Sequence, residues 1–163
     1  MPWRDSDNRR ENLILALSSG LLLGLPWVFS WLAFLIFLSW IPLFLLEERL
    51  RHRANPYLVF NYAFLCFLAW NILGTWWICR AHLLGGILII LANALCQAFC
   101  FWLSSRVATI LRLPLMLSFA LIWMGFEYFN EWWDLAWPWL NLGNALAAIP
   151  KIIQWYEFTG ARG

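Results

Sequence analysis

The sequence predicts an all-α fold, a polytopic transmembrane helical bundle of about five spans plus the start of a sixth. Of its 163 residues, 63% are hydrophobic and 12% are charged, whereas soluble domains are about half apolar and a quarter charged. No charged residue occurs between Glu11 and Glu47. The 14 tryptophans and 13 phenylalanines are residue types that favour cores and membrane interfaces. This composition excludes a soluble monomer and also a disordered chain.

The uncharged stretch after Glu11 predicts two helices. As a single helix its 35 residues would be about 52 Å long, far beyond a hydrocarbon core of about 30 Å. Pro26 removes a hydrogen-bond donor and disfavours a helical residue before it. We therefore expect two short or re-entrant helices, at residues 12–25 and 27–46, with the break at Gly24-Leu25-Pro26.

Three further spans are predicted at residues 57–79, 82–104 and 113–129. Residues 131–150 form an aromatic, mildly acidic loop, and residues 151–163 are expected to approach a sixth span. With a cytoplasmic N-terminus, the outer loop between the third and fourth spans carries only Arg80. The inner loops carry eight arginines, an asymmetry that follows the positive-inside rule: Arg4, Arg9, Arg10, Arg49, Arg51, Arg53, Arg106 and Arg112. The tryptophan-rich loop then lies on the outer face.

The basic N-terminus has an alternative explanation as a signal peptide, because arginines precede a short apolar run. No small-x-small cleavage site follows it, so a retained first span is favoured. The formal net charge of +2 and the scattered arginines predict no nucleic-acid partner.

The four cysteines are expected to pack as small hydrophobic residues. Cys96 and Cys100 share one helix face, but a metal site would need further ligands. His52 and His82 lie on different loops. The sequence therefore predicts no metal and no cofactor. The two other cysteines are Cys66 and Cys79.

Glu127 is the most unusual charged residue of the predicted spans, because carboxylates within a span are costly and often functional. It lies near the outer end of the fifth span. An interfacial carboxylate solvated by headgroup water explains the position equally well.

Residues 132–144 contain four tryptophans in eight positions, with a proline and no helical period. One interpretation is an aromatic belt that anchors a loop at headgroup depth. The other is a lipid-facing loop that shapes a site for acyl chains. The residues alone slightly favour the belt, and Trp76 and Trp77 are expected in the same layer.

At these positions the sequence resembles the bacterial apolipoprotein N-acyltransferase family. That family has a tryptophan and a glutamate followed by Gly-Phe-Pro-Trp, Leu and Gly. Here Trp123, Glu127, residues 137–140 and Gly143 fall in this pattern. Ala136-Trp137 replaces the usual Gly-Phe, and Asn130 or Glu131 stands where an arginine is common.

The resemblance implies an inner-membrane enzyme that transfers an acyl chain from a phospholipid to the α-amino group of the diacylglyceryl-cysteine of an apolipoprotein. The family forms a cysteine thioester in a nitrilase-like domain on the outer face, which supplies the nucleophile, a glutamate base and a lysine. Lys151 is the only lysine here, and all cysteines lie in predicted spans. Residues 1–163 are therefore expected to be the N-terminal transmembrane domain, truncated at its C-terminal end, without catalytic residues and inactive alone.

Trp139 is the first candidate for substrate contact, because tryptophans offer rigid apolar faces and one donor each. Glu127 is expected to orient it or to bind a polar headgroup. The remaining substrate-binding candidates are Trp137, Trp76 and Trp77.

Two other classes of protein compete with this interpretation. A small multipass scaffold or accessory protein without chemistry of its own would share the composition, although the incomplete last segment opposes it. A transporter or channel module would need polar residues inside several spans, and the first four predicted spans carry essentially none.

Overall fold

The computed structural model describes residues 4–53, 55–132, 137–147, 149–151 and 153–160. This part of the chain is helical and contains no strand, which confirms the all-α fold. Residues 133–136 and 148 of the predicted aromatic loop, and residues 152 and 161–163 of the predicted sixth span, lie outside it. The α-helices are α1 (Arg4–Val28), α2 (Leu35–Leu38), α3 (Trp40–Leu50), α4 (Tyr57–Thr75), α5 (Leu83–Leu111), α6 (Leu115–Trp132) and α7 (Tyr156–Thr159).

The predicted helix break at Gly24-Leu25-Pro26 is wrong. Helix α1 continues through Pro26 to Val28, and the backbone N–H of Phe29 still donates to the carbonyl of Leu25 at 2.8 Å. The turn lies one helical turn later, around the 3-10 helix Ser30–Leu32. Proline so close to a helix end removes few bonds. Packing of Trp27 edge-on against Trp70, with ring centroids 5.3 Å apart, stabilises the extra residues.

The predicted second span, residues 27–46, is divided into α2 and α3 at Ser39. Pro42 has no N–H for the carbonyl of Leu38 four residues earlier. The carbonyl of Ser39 also accepts a hydrogen bond from the hydroxyl of Ser19 in α1, at 2.6 Å. Both features interrupt a continuous helix at this position.

Among the described residues, three helical segments are long and apolar enough to cross a membrane: Arg9–Val28, Tyr57–Arg80 and Leu83–Leu111. They correspond to the first, third and fourth predicted spans. Helix α6, the predicted fifth span, has 18 residues, and Glu127, Asn130 and Glu131 reduce the hydropathy of its last turns. Of the about five predicted spans, the first two of which were expected to be short or re-entrant, three thus have that length and composition.

The chain nevertheless passes five times between two ends of the bundle. At one end, which we call the arginine-rich end, Arg49 after the second pass pairs with Glu11 of α1 at 2.8 Å. This contact is what the predicted hairpin requires. Helices α1 and α4 run parallel, since Gly20 faces Cys66 and Gly24 faces Leu73 farther along both helices. They are in close contact, because a Cβ on Gly20 would lie only 2.2 Å from the carbonyl oxygen of Cys66. Helix α5 then packs between α4 and α6.

Aromatic rings fill the centre of the bundle. The ring of Trp40 in α3 lies 4.7 Å from Phe119 and 5.2 Å from Trp123, both in α6. Phe67 and Trp70 of α4 complete the cluster and are fully buried. Aromatic pairs at these separations add about 0.5–1.5 kcal/mol each beyond area burial, so this cluster fixes α6 against α3 and α4.

A charged pair is buried near the arginine-rich end. Glu47 of α3 is 0% exposed and binds the guanidinium of Arg51 through both carboxylate oxygens, the shortest distance being 2.8 Å. The hydroxyl of Ser105 in α5 donates to the same carboxylate. Hydrogen bonding to Glu47 raises the pKa of Arg51 further above its ordinary value, so the guanidinium stays charged.

Glu47→Ala is expected to destabilise the bundle by about 1.5–3 kcal/mol, because the partly buried guanidinium of Arg51 and the hydroxyl of Ser105 lose a charged hydrogen-bond partner. The free energy of unfolding in detergent micelles measures the effect. Glu48→Ala is the matched control, since Glu48 is the next residue and is exposed. Equal stability of the two variants would contradict a role for the Glu47–Arg51 pair.

Candidate functional site

Glu127 lies one turn before the end of α6, at the end of the bundle opposite the arginine-rich end. Its side chain is 5% exposed, so it is not an open interfacial carboxylate. One oxygen, Oε1, accepts from the indole Nε1 of Trp123 at 3.0 Å and from the backbone N–H of Leu142 at 2.8 Å. The first bond follows from the i, i+4 spacing on a helix. The second ties the segment after α6 to the helix.

That segment, residues 137–147, is a compact connection built from two 3-10 helices, Pro138–Leu140 and Leu142–Leu146. Several of its backbone groups bond to side chains of α6 and of the segment itself. The amide of Asn130 donates to the carbonyl of Trp137 at 2.9 Å, and the amide of Asn141 donates to Glu131 at 3.1 Å. These bonds take the place of the backbone hydrogen bonds of an α-helix, which Pro138 and the absence of a helical repeat prevent.

Three tryptophans form a cluster at this end, which we call the tryptophan cluster: Trp77, Trp137 and Trp139. The ring of Trp139 meets Trp77 edge-on at 5.6 Å and Trp137 at 6.4 Å. Trp139 is 55% exposed and Trp77 43%. The indole of Trp27 in α1 donates to the backbone carbonyl of Trp139 at 3.0 Å, which ties the backbone of the segment to α1.

Trp76 is exposed but is held differently. The guanidinium of Arg80 lies 4.7 Å from the centroid of its ring, a cation–π contact. The sequence placed Trp76 and Trp77 in one layer with the loop, and the structure joins Trp77 to Trp139. The hydrogen bonds of Glu127 go to Trp123 and Leu142, so an orienting effect on Trp139 would act through the backbone of the segment.

A groove of about 470 Å³ opens beside Glu127. Aromatic and aliphatic side chains of α2, α3 and α6 form one wall, and the segment with α7 forms the other. The hydroxyl of Tyr156 donates to the carbonyl of Gly143 at 3.1 Å. Glu127 and Tyr156 both line this groove. The groove thus combines apolar walls with one acidic end.

The cysteines are free thiols within the described helices. Cys66 is fully buried in the core, and Cys96 and Cys100 line an apolar groove between α5 and α6. Among the described residues no three His, Cys, Asp or Glu side chains come together as a metal site would require. The surroundings of these thiols are those of packing residues.

Sequence reasoning missed a buried chain of amides between α4 and α5. Asn71 donates to Gln97 and accepts from Asn93, both at 2.7 Å, and all three are 8% exposed or less. The expectation that the first four spans carry essentially no polar residues is therefore wrong. The spacing of Asn93 and Gln97, four residues apart on one helix face, is the signal that would have revealed it.

Comparison with known proteins gives a consistent result over nearly the whole chain. Residues 19–163 match the model of the apolipoprotein N-acyltransferase N-terminal domain. A curated apolipoprotein N-acyltransferase from Chlorobaculum tepidum is 32% identical over 155 residues, which cover 91% of this chain and 28% of the relative. The chain thus spans less than a third of the length of that relative. No solved structure matches.

Proposed function

The chain belongs to the apolipoprotein N-acyltransferase family, and we propose that it is the membrane domain that holds the lipid substrates of such an enzyme. The observation that carries the proposal is the tryptophan cluster, in which Trp77 and Trp139 are exposed and Trp139 lies on a segment tied to Glu127. An enzyme that joins two lipid-tailed substrates must hold their chains while the reacting groups stay in water. Rigid exposed indoles at headgroup depth suit that task.

The proposed reaction takes an acyl chain from a membrane phospholipid. A cysteine thiolate attacks the ester, which forms a thioester and releases the lysophospholipid. The α-amino group of a diacylglyceryl-modified apolipoprotein then attacks the thioester, giving the amide and restoring the thiol. We assign the nucleophile and its proton-transfer partners to a part of the enzyme beyond this chain. The setting is the bacterial inner membrane, with the N-terminus cytoplasmic and the tryptophan cluster on the outer face.

The groove beside Glu127 is proposed to take an acyl chain. Its volume of about 470 Å³ lies within the usual range for ligand pockets, about 300–1,000 Å³. The apolar walls match a hydrocarbon tail. Glu127 itself holds the segment in place and can meet a polar group of the substrate at the acidic end.

We expect the 163-residue chain alone to form no acyl-thioester with phospholipid, because its thiols lie within apolar helices, where the thiolate form is disfavoured. Intact-protein mass spectrometry after incubation with phospholipid vesicles measures the acyl mass increment. The positive control is a fusion of this chain to the remainder of the Chlorobaculum tepidum relative. A thioester on the chain alone would contradict the assignment of catalysis to another domain.

A further inference from the structure

The groove beside Glu127 follows one face of α6 from Glu127 almost to the start of the helix. The residues of α6 that line it recur every three or four positions: Met116, Phe119, Ala120, Trp123, Met124 and Glu127. This spacing places them on one helix face, one above the other. Trp40 and Phe44 of α3 line the same groove. The groove is therefore elongated along the helix axis, and its length limits the hydrocarbon chain that it can hold.

The length of this face corresponds to about 13 carbons of an extended acyl chain. Glu127 follows Met116 by 11 positions, which is about 16.5 Å along the helix axis. An extended hydrocarbon chain advances about 1.25 Å per carbon, as the bond length and angle of saturated carbon require. A chain that enters beside Glu127 therefore reaches Met116 after about 13 carbons.

Phe44 and Met116 form what we call the end wall of the groove. Both also line a second groove of about 400 Å³, which continues towards the arginine-rich end, so they stand between the two grooves. The ring of Phe44 is held edge-on by Phe119, with centroids 5.5 Å apart. The second groove is lined in addition by Glu48 and Arg51. A hydrocarbon tail there would displace water from charged groups, which costs free energy.

We propose that the end wall sets the length of the acyl chain that the groove accepts, an inference that rests on the proposed function of this groove. The carbonyl end of the chain lies at Glu127, and its methyl end reaches Phe44 and Met116. A longer chain must bend out of the groove and loses contacts with the apolar walls. Phe44 is fixed within the aromatic centre of the bundle. Met116 is 68% exposed, so it can be replaced without disturbing that centre.

The test offers the purified 163-residue chain an equimolar mixture of lysophosphatidylethanolamines in nonionic micelles, each with one saturated chain of a different length. Native mass spectrometry measures the ratio of the bound lengths, which does not depend on the amount of folded protein. Met116→Ala removes the thioether from the end wall, so the preferred length is expected to increase by about two to three carbons. Met124→Ala is the matched control. It removes the same atoms from the side of the groove, about two turns nearer Glu127, and is expected to leave the preferred length unchanged.

Ala120→Trp tests the same inference in the opposite direction. Ala120 is exposed and lies about 6 Å nearer Glu127 than Met116 does. An indole at this position would obstruct the groove and is expected to shorten the preferred length by about five carbons.

The outcomes separate this inference from the proposed function. If lipid binds but either Met116→Ala or Ala120→Trp leaves the preferred length unchanged, the end wall does not select chain length, although the groove can still hold an acyl chain. An equal increase in Met116→Ala and Met124→Ala would overturn the inference in the same way. If the unaltered chain binds no lipid of any length, the proposed function of the groove is itself wrong, and this inference with it.

Discussion

Replacing Glu127 with alanine is expected to release the segment of residues 137–147 from α6. The change removes the acceptor of two donors, the buried indole of Trp123 and the part-buried backbone N–H of Leu142. Each donor left without a partner costs about 1–3 kcal/mol. Local opening of the segment recovers part of this energy by exposing the amide to water. Hydrogen exchange at the Leu142 amide is therefore expected to accelerate about tenfold or more.

Two variants sharpen this test. Glu127→Gln keeps an amide oxygen as acceptor, so it is expected to retain much of the protection at Leu142. Glu157→Ala removes an exposed carboxylate from α7 and controls for the change in charge. Unchanged protection at Leu142 in Glu127→Ala would show that the carboxylate does not hold the segment.

The largest effect on activity is expected from Trp139→Ala in the fusion of this chain to the remainder of the Chlorobaculum tepidum relative. Loss of an exposed indole that contacts an acyl chain is expected to lower N-acyl transfer about tenfold, which corresponds to burial of about 50 Å² of apolar surface. Transfer to a diacylglyceryl peptide measures the effect. The hydrogen bond from Trp27 to the backbone carbonyl of Trp139 does not depend on the removed side chain, so the segment is expected to stay in place.

Trp31→Ala provides the matched control for that variant. Trp31 is 72% exposed and lies on the 3-10 helix Ser30–Leu32, at the same end of the bundle. If the tryptophans act only as a membrane anchor, both variants lower transfer equally or not at all. Either result would indicate that the tryptophan cluster serves only as a membrane anchor. Measuring the amount of membrane-inserted protein for each variant distinguishes a loss of transfer activity from a loss of insertion.

The helical class could be predicted from the sequence because it depends on composition. A long stretch without charged residues indicates membrane helices unambiguously. The position of the first turn could not, because it is decided by contacts distant in sequence. Local chemistry at Pro26 favours an end there, yet Trp27 packs on Trp70 and bonds to residue 139. Those partners become neighbours only after α4 and the final segment are in place.

For the candidate site, the location of the selected residues could be predicted from the sequence, but not their connections. Glu127 and Trp139 were selected by type and position, and both lie at the expected end of the bundle. The bond from Leu142 to Glu127 involves a backbone N–H, which no side-chain pattern reveals. The separation of Trp76 from the tryptophan cluster depends on the 3-10 geometry of Trp76–Arg80, which rotates adjacent side chains differently from an α-helix.

The buried amides between α4 and α5 fix the register of those two helices. Sliding one helix past the other by a single turn, about 5.4 Å, would break both amide–amide bonds of Asn71 at once. Apolar side chains alone would resist such sliding much less, because leucine side chains and lipid tails are equally apolar. Trp77 follows α4 directly, and Trp139 meets it edge-on. The amides therefore hold α4 and α5 in one register, and this register sets the height of Trp77 relative to α5.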